Sequence, residues 1–263
     1  MSKEIKCADH LEGKSSRVVI FPKHCDFLKE RTKSPLFILG FTGVGMIGTI
    51  LTNEMINQLK MEQVGYVLSE DLPPITLFYD GVLKHPFRLY WSAKFNLVLS
   101  ICEVPFNQGS YRDLARTLME WALIQNISDV ICLQGMTDNN IIRDGPVEVY
   151  AAGEKEILAK IQKQGIQIPP RGLIMGAEAA ILNECLNNQL NGVVFLTPAN
   201  PQIPNPEGAA AILEKISKIY NIPIDLTSLY EQANTIKQNL LELAKKTNDI
   251  HQQAPIPARD IYT

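Results

Sequence analysis

The order of apolar and polar positions divides most of the chain into alternating strands and helices. A nearly continuous apolar run at 36–41 predicts a strand that is buried on both faces. Apolar residues recur every three or four positions between 110 and 125, which predicts an amphipathic helix. Further strands are predicted at 17–21, 64–69, 129–134, 172–175 and 192–196, and further helices at 47–59, 154–163 and 178–190. Alternation of this kind indicates an α/β fold.

The predicted fold class is α/β, with a three-layer α/β/α core around a mainly parallel mixed sheet. Short strands at 75–79, 87–91 and 96–104 interrupt the alternation, so we expect an antiparallel insertion at about 75–95. After four prolines between 197 and 206 the pattern becomes helical. We therefore expect a loose N-terminal arm at 1–16, an α/β core domain at 17–206, a C-terminal helical region at 207–250 and a flexible tail at 251–263.

The last predicted helix, at 225–249, has a heptad repeat of apolar residues. This heptad seam comprises Leu229, Ala233, Ile236, Leu240, Leu243 and Ile250. A narrow apolar stripe of this kind packs against one partner helix. The partner is either the preceding helix of the same chain or a helix of another subunit, so the heptad seam is a candidate oligomer interface.

Composition and charge exclude several classes of protein. Of the 263 residues, 46% are hydrophobic and 20% are charged, so the chain can form a sizeable core and is not a disordered protein. A formal net charge of −3, without a run of like charges, provides no electrostatic footprint for nucleic acid or anionic lipid. The longest apolar stretch, 37–51, contains four glycines and is too short to cross a bilayer. We therefore expect a soluble, cytoplasmic protein that binds neither nucleic acid nor membrane.

The cysteines and histidines do not form a metal-binding pattern. Five cysteines and four histidines are scattered along the chain, and no two cysteines form a CxxC pair. We therefore expect no metal site and reduced thiols in the cytosol. Cys102 and Cys132 are expected in the core, because both lie inside apolar runs.

Residues 43–48 match the G-x-G-x-x-G pattern between a predicted buried strand and a predicted helix. In a nucleotide-binding enzyme, such glycines let a pyrophosphate approach the helix N-terminus. Here the next strand leads into Leu72-Pro73-Pro74 rather than a second crossover helix, which favours a tight turn and close helix packing instead. The glycines concerned are Gly40, Gly43, Gly45 and Gly48. We favour the structural interpretation, with no cofactor, and keep a nucleotide-binding enzyme as the alternative.

Three carboxylates follow predicted elements at the edge of the sheet where active sites of open α/β proteins lie. They are Glu103, Asp138 and Glu178. Each is also explained as a helix cap or a loop carboxylate. Because the sequence has no G-x-S-x-G pattern and no clustered pair of carboxylates, we predict no catalytic residue and expect that the protein is not an enzyme.

A series of segments in a defined order resembles one known family. The segments are Leu39-Gly40-Phe41-Thr42-Gly43-Val44-Gly45-Met46-Ile47-Gly48, Asp71-Leu72-Pro73-Pro74, Asp80-Gly81, Glu103-Val104-Pro105, Leu133-Gln134-Gly135, Asn205-Pro206-Glu207-Gly208-Ala209-Ala210-Ala211 and Asn221-Ile222-Pro223-Ile224-Asp225-Leu226. In this order they resemble the proteasome assembly chaperone two family of archaea, some bacteria and eukaryotes, over about 34–244. The resemblance implies an α/β/α core without a nucleotide requirement, a structural glycine segment, and an oligomeric chaperone for 20S proteasome α subunits.

The chain ends in Ile261-Tyr262-Thr263. This tripeptide is similar to the hydrophobic-tyrosine-X (HbYX) motif with which proteasome activators dock between neighbouring α subunits. The similarity implies that Ile261 fills an apolar notch, that the ring of Tyr262 packs in the pocket, and that the carboxylate of Thr263 pairs with a lysine. A tyrosine suits this role because it buries a large area with few rotatable bonds.

One tail of this kind is expected to bind weakly. Burial of Ile261 and Tyr262 contributes about 1.5–3 kcal/mol each before the cost of ordering the tail. Several linked tails gain affinity through their effective concentration, so we expect a homo-oligomer such as a trimer or tetramer. The expected function is an ATP-independent, homo-oligomeric proteasome assembly chaperone that binds 20S α subunits or the α ring. A proteasome activator acting on the mature particle is an alternative.

Overall fold

In the computed structural model, which describes residues 7–8, 15–24, 33–140 and 145–253, strands and helices alternate as the apolar pattern predicts. The strands are β1 (Cys7–Ala8), β2 (Ser16–Ile20), β3 (Leu36–Phe41), β4 (Glu62–Ser69), β5 (Leu77–Tyr79), β6 (Val82–Lys84), β7 (Phe87–Ser92), β8 (Leu97–Cys102), β9 (Asp129–Thr137), β10 (Tyr150–Gly153) and β11 (Asn191–Ala199). The helices are α1 (Ile47–Gln58), α2 (Tyr111–Ile124), α3 (Lys155–Ile161), α4 (Ala177–Asn188), α5 (Pro206–Tyr220) and α6 (Thr227–Gln253).

Within the described residues, the main sheet has nine strands in the order β1-β2-β4-β7-β8-β3-β9-β11-β10. Pairing is parallel among the central strands β8, β3, β9 and β11. It is antiparallel on both sides of them, and β5 and β6 form a separate hairpin. The predicted α/β class with a mixed sheet is confirmed. The antiparallel part reaches beyond the predicted insertion at 75–95, because β2, β4 and β10 also belong to it.

Two hydrophobic cores, one on each face of the sheet, hold the three layers together. On the first face Phe37 packs edge-on against Trp121 of α2, with 5.7 Å between the ring centroids. On the second face Ile38 lies in the core that α1, α3 and α5 cover. Since successive side chains of a strand point to opposite faces, a strand covered on both sides needs apolar residues at every position. This explains the unbroken apolar run of β3.

The predicted strand at 172–175 is wrong. The segment is irregular, and its side chains Leu173 and Met175 are 95% and 73% exposed. The apolar run is short and lies between glycines, so neither periodicity nor length distinguishes a surface loop from a strand there. Instead β10, which we did not predict, pairs antiparallel with β11.

The boundary predicted at residue 206 does not separate α5 from the core. Ala209, Leu213 and Ile216 of α5 belong to the same buried cluster as Ile38. Asn205 caps this helix by accepting a hydrogen bond from the backbone N–H of Gly208 at 2.8 Å, and Pro206 occupies its first turn. The helical region at 207–250 therefore includes a helix that forms one of the three layers.

The N-terminal arm predicted at 1–16 includes strand β1 and the first residue of β2. Cys7–Ala8 pairs antiparallel with β2, and β2 itself begins at Ser16, one residue earlier than predicted. The tail predicted at 251–263 begins three residues inside the last helix, which ends at Gln253. Residues 254–263 lie outside the described part of the chain.

Candidate functional site

The glycine segment forms a tight connection between β3 and α1. Gly45 has a φ of 66°, in the left-handed region that glycine adopts without strain. A Cβ at Gly45 would lie 2.6 Å from the Cβ of Ala199, and a Cβ at Gly48 would lie 2.7 Å from the backbone oxygen of Phe41. A Cβ at Gly40 would lie 2.5 Å from Thr52, whereas one at Gly43 would have no described residue within 4 Å besides its two neighbours in the chain.

These contacts explain three of the four glycines by packing. The space beside Gly45 that a side chain would need is filled by Ala199 of β11 and by Asn205. The carbonyl oxygen of Gly45 also accepts a hydrogen bond from the backbone N–H of Asn205 at 2.8 Å. The geometry therefore favours the structural interpretation of Gly40, Gly45 and Gly48 over a nucleotide site.

The Gly48→Ala variant is expected to lower the free energy of unfolding by about 1–3 kcal/mol, because the new methyl group meets backbone atoms of Phe41 that cannot move aside. The Gly43→Ala variant is the matched control, since its methyl group meets no atom of the described residues within 4 Å besides its two chain neighbours, and its φ of −153° suits any residue. Urea denaturation of both variants measures the difference. Equal stability of the two would contradict the packing role.

A pocket of about 160 Å³ lies at the carboxyl ends of β3 and β9, beside the start of α4. Glu178 is buried in its wall, and burial raises the pKa of this carboxyl group to about 7. The side-chain amide of Gln134 donates to the backbone oxygen of Met175 at 2.8 Å and to Glu178 Oε2 at 3.4 Å. Burial, and the nearby Glu178, also raise the pKa of Tyr111.

The polar side chains that line this strand-end pocket are those of Thr42, Tyr111, Gln134 and Glu178. The described residues that line it include no cysteine, histidine, lysine or arginine. Because the pKa of Glu178 is about 7, its carboxyl group is present in both the protonated and the ionised form near neutral pH. The hydroxyl of Thr42 donates to the backbone oxygen of Cys102 at 3.0 Å, so it is not paired with Glu178 as a nucleophile with its base.

The other two candidate carboxylates have different surroundings. Glu103 forms an ion pair with Arg88, and Asp138 accepts hydrogen bonds from the backbone N–H and the side chain of Asn140 at 3.1 and 2.8 Å. The structure does not bring Glu103, Asp138 and Glu178 together in one pocket. Within the described ranges, no group of three or more His, Cys, Asp or Glu side chains could hold a metal ion.

The two cysteines that were expected in the core do not provide a reactive thiol. Cys102 and Cys132 are fully buried, as predicted. Burial raises the pKa of Cys102 to about 12, so its thiol is not a nucleophile at neutral pH.

In the part of the chain that the structure describes, no helix combines the length and the apolar character that crossing a bilayer requires.

The β5–β6 hairpin, which we call the hairpin arm (Leu77–Lys84), presents apolar side chains to solvent. Phe78 and Leu83 are cross-strand partners, and their side chains are 70% and 72% exposed. Asp80 and Gly81 form the turn with φ values of 50° and 77°, as a two-residue type I′ turn requires. The sequence predicted the turn, but its pattern did not indicate that both strands lie outside the core.

A polar cluster beneath the arm holds it on the sheet. Arg88 of β7 is 2% exposed, pairs with Glu103, and donates from Nη1 to the backbone oxygen of His85 at 2.7 Å. Its Nε donates to the hydroxyl of Tyr90 at 2.9 Å. The hydroxyl of Tyr79, in the arm, donates to Glu103 Oε1 at 2.6 Å. We call this the Arg88–Glu103 cluster; sequence reasoning missed it, although a lone arginine within an apolar strand was a usable signal.

The heptad seam divides into a buried part and a groove. Leu229 lies in the core against α5. Ala233, Ile236 and Leu240 are half-buried and line a cavity of about 400 Å³ between α6 and the loops that follow β9 and β11. We call this cavity the α6 groove. The remaining seam positions, Leu243 and Ile250, lie on the helix, but their side chains are outside the described part of the structure.

The structure therefore supports packing on the preceding helix for the first turn of the heptad seam. An interface between subunits along the rest of the seam stays a prediction. The predicted partner-binding residues Ile261, Tyr262 and Thr263 lie outside the described residues.

Comparison with known proteins identifies relatives over most of the chain. The family model described as PAC2 family matches residues 37–244. A structure of a protein of unknown function from Thermoplasma acidophilum is 30% identical, with a TM-score of 0.71, and the match covers 87% of this chain and 93% of that one.

Two similar structures come from Pyrococcus furiosus. PbaA, described as an archaeal homolog of proteasome-assembly chaperone, is 25% identical with a TM-score of 0.72, over 83% of this chain and 96% of PbaA. PbaB, described as an archaeal proteasome activator, is 21% identical with a TM-score of 0.73, over 88% of this chain and 99% of PbaB. The likeness to PbaB is one of fold.

Proposed function

Because this chain belongs to the PAC2 family, we propose that it is an ATP-independent, homo-oligomeric proteasome assembly chaperone. It binds α subunits of the 20S proteasome through Ile261, Tyr262 and Thr263. The similarity to PbaA supports the class of partner. The packed glycine segment supports a binding function over a nucleotide-dependent reaction.

The observation that carries the proposal is the Ile-Tyr-Thr sequence that follows α6. This helix has 27 residues, which corresponds to a length of about 40 Å. Among its described side chains, those after Leu229 are exposed or half-buried, so the helix leaves the core soon after it begins. The ten residues that follow it can span up to about 35 Å. Helix and tail together provide the reach to meet a partner beyond the surface of the α/β core.

Loss of the tail is expected to abolish binding to 20S particles and to isolated α subunits while the fold and the oligomer remain. Deletion of 261–263 and the Tyr262→Ala variant both test this, because each removes the ring of Tyr262, which supplies most of the apolar contact in the proposed docking. Binding is measured by surface plasmon resonance with immobilised 20S particles. Several tails act together, so the loss in apparent affinity is expected to exceed 100-fold.

Two matched variants test whether binding depends on the order of the last three residues or only on their composition. Exchange of the two side chains, Ile261→Tyr with Tyr262→Ile, keeps the composition and is expected to abolish binding. Thr263→Ser keeps the carboxylate in place and is expected to bind as the unaltered chain does. Equal binding by the truncated and the full-length chain would overturn the docking proposal.

Assembly and activation are separated by the readout. A chaperone accelerates the formation of α rings from isolated α subunits, which native gel electrophoresis follows. An activator instead raises the peptidase activity of the mature 20S particle. We expect the first effect to depend on Tyr262.

A further inference from the structure

The hairpin arm has the features of a preformed docking element. Phe78 and Leu83 form an apolar pair on its outer face, and Val82 is also more than half exposed. An isolated two-stranded hairpin is marginally stable in water, so this arm depends on its attachment to the sheet. The attachment is the hydrogen bond from Tyr79 to Glu103, which Arg88 holds in place. An apolar pair that is exposed and held in a defined position loses little conformational entropy on docking.

The α6 groove has the size and character to receive this pair. Its volume of about 400 Å³ lies in the range of cavities that enclose small ligands. Apolar side chains of α6 and of the loop after β11, among them Ile203, Ile236 and Leu240, form much of its wall. Two bulky apolar side chains can therefore be buried in the groove, out of contact with solvent.

The charges on the two surfaces are complementary. The arm carries the exposed Asp80 at its tip and Lys84 at its base. The groove carries Lys237 on α6 and Glu207 at the start of α5, together with Asp138 and Glu148 on its other wall. Asp80 therefore has a partner of opposite sign in Lys237, and Lys84 has one in the acidic residues.

The two surfaces adjoin the carboxyl ends of two different strands of the sheet. The arm is attached to Glu103, directly after the carboxyl end of β8. The groove adjoins Ala199, at the carboxyl end of β11. In the sheet, β3 and β9 lie between these strands, so their ends are about 14 Å apart. Two different surfaces at separate places on one molecule suit a head-to-tail contact, which closes into a ring when the rotation permits.

We propose that the hairpin arm of one subunit docks in the α6 groove of a second copy of this chain, with Phe78 and Leu83 as the apolar anchors and Asp80 facing Lys237. This interface rests on the homo-oligomer of the proposed function and assigns the surfaces that build it. The tail takes no part in the contact.

Mass in solution tests the two surfaces separately. Phe78→Asp disrupts the arm, and Ile236→Asp disrupts the groove. Each variant is expected to reduce the wild-type oligomer to the single-chain mass of 29.4 kDa, measured by size-exclusion chromatography with light scattering. Leu173→Asp is the matched control, because Leu173 is 95% exposed but belongs to neither surface, and it is expected to keep the wild-type mass.

Mixing the variants tests the head-to-tail geometry. The Phe78→Asp chain keeps an intact groove and the Ile236→Asp chain keeps an intact arm, so an equimolar mixture is expected to form a heterodimer of one chain of each. A contact between two arms, or between two grooves, would not produce this heterodimer. Absence of the heterodimer, or a wild-type mass for Phe78→Asp, would overturn the proposal.

Charge exchange provides a second test that does not alter the apolar anchors. Asp80→Lys is expected to weaken the oligomer at least 10-fold, and addition of Lys237→Asp is expected to restore it. If instead Ile236→Asp and Leu243→Asp dissociate the oligomer while Phe78→Asp does not, the heptad seam is the interface and the proposal is wrong. Tyr262→Ala is expected to keep the oligomer mass, so failure of tail docking and failure of this interface are observed independently.

Discussion

Replacement of Arg88 by methionine is expected to lower the free energy of unfolding by about 3–5 kcal/mol, because it leaves the carboxylate of Glu103 without its charged partner in a largely buried site. Arg88 also donates to His85 and Tyr90, and both acceptors would lose this donor. The methionine fills much of the volume, so the effect arises mainly from charge. Urea denaturation measures this loss of free energy, with the same dependence of the unfolding free energy on urea concentration (the m-value) used for both chains.

Two further variants isolate the charge effect of the Arg88–Glu103 cluster. Arg88→Met combined with Glu103→Leu removes both charges and is expected to recover a large part of the loss. Lys23→Met breaks the exposed Lys23–Glu62 pair, whose side chains are separated by 2.9 Å, and is expected to cost less than about 1 kcal/mol. If Arg88→Met costs no more than Lys23→Met, the cluster does not stabilise the sheet.

This cluster also connects stability to the proposed interface. Tyr79, which ties the hairpin arm to Glu103, lies beside exposed Phe78. Loss of Glu103 is therefore expected to loosen the arm as well as the sheet. The buried pair thus stabilises an otherwise exposed, marginal hairpin in one orientation.

The stability of the protein is expected to fall between pH 4 and pH 8 because of Glu178. Burial raises the pKa of this group from 4.5 to about 7 in the folded protein, so the folded state holds the proton more tightly than the unfolded state. This stabilisation is fully present below pH 4.5 and is lost as the pH rises through 7. Since a difference of one in pKa corresponds to about 1.4 kcal/mol, the contribution of Glu178 over this interval is about 3 kcal/mol.

The Glu178→Gln variant isolates this contribution from those of other groups. Glutamine has a similar shape and does not ionise, so the variant is expected to gain stability relative to the unaltered chain as the pH rises. Urea midpoints at pH 4, 6 and 8 measure the difference. A difference that stays constant with pH would contradict a raised pKa for Glu178.

Local patterns were sufficient to predict most elements that lie between two layers. The strand at 36–41 was predicted with its observed bounds, and the helices at 47–59 and 110–125 end within one residue of α1 and α2. A strand covered on both faces, or a helix with one buried stripe, has a characteristic order of apolar residues. The structure confirms the predicted class for the same reason.

Local sequence patterns did not predict the structure correctly where apolar side chains are exposed to solvent. Leu173 and Phe78 are both apolar and lie in short runs, yet both side chains face solvent. A short run of apolar residues has the same sequence pattern whether its side chains are buried in a core or exposed on the surface. The irregular segment at 172–175 and the exposure of the hairpin arm could therefore not be derived from residue order.

The sequence by itself determined the α/β class, the glycine segment and the Ile261-Tyr262-Thr263 ending, because each depends on residues that are close together in the chain. Only the tertiary structure decided that Arg88 meets Glu103, that the hairpin arm lies outside the core, and that α6 and two loops enclose a groove. Arg88 and Glu103 meet because β7 and β8 pair antiparallel, so strand pairing determines their contact. The exposure of a side chain and its contacts with residues distant in sequence depend on how whole layers pack together. Local residue patterns do not specify this packing, which arises only when the complete chain folds.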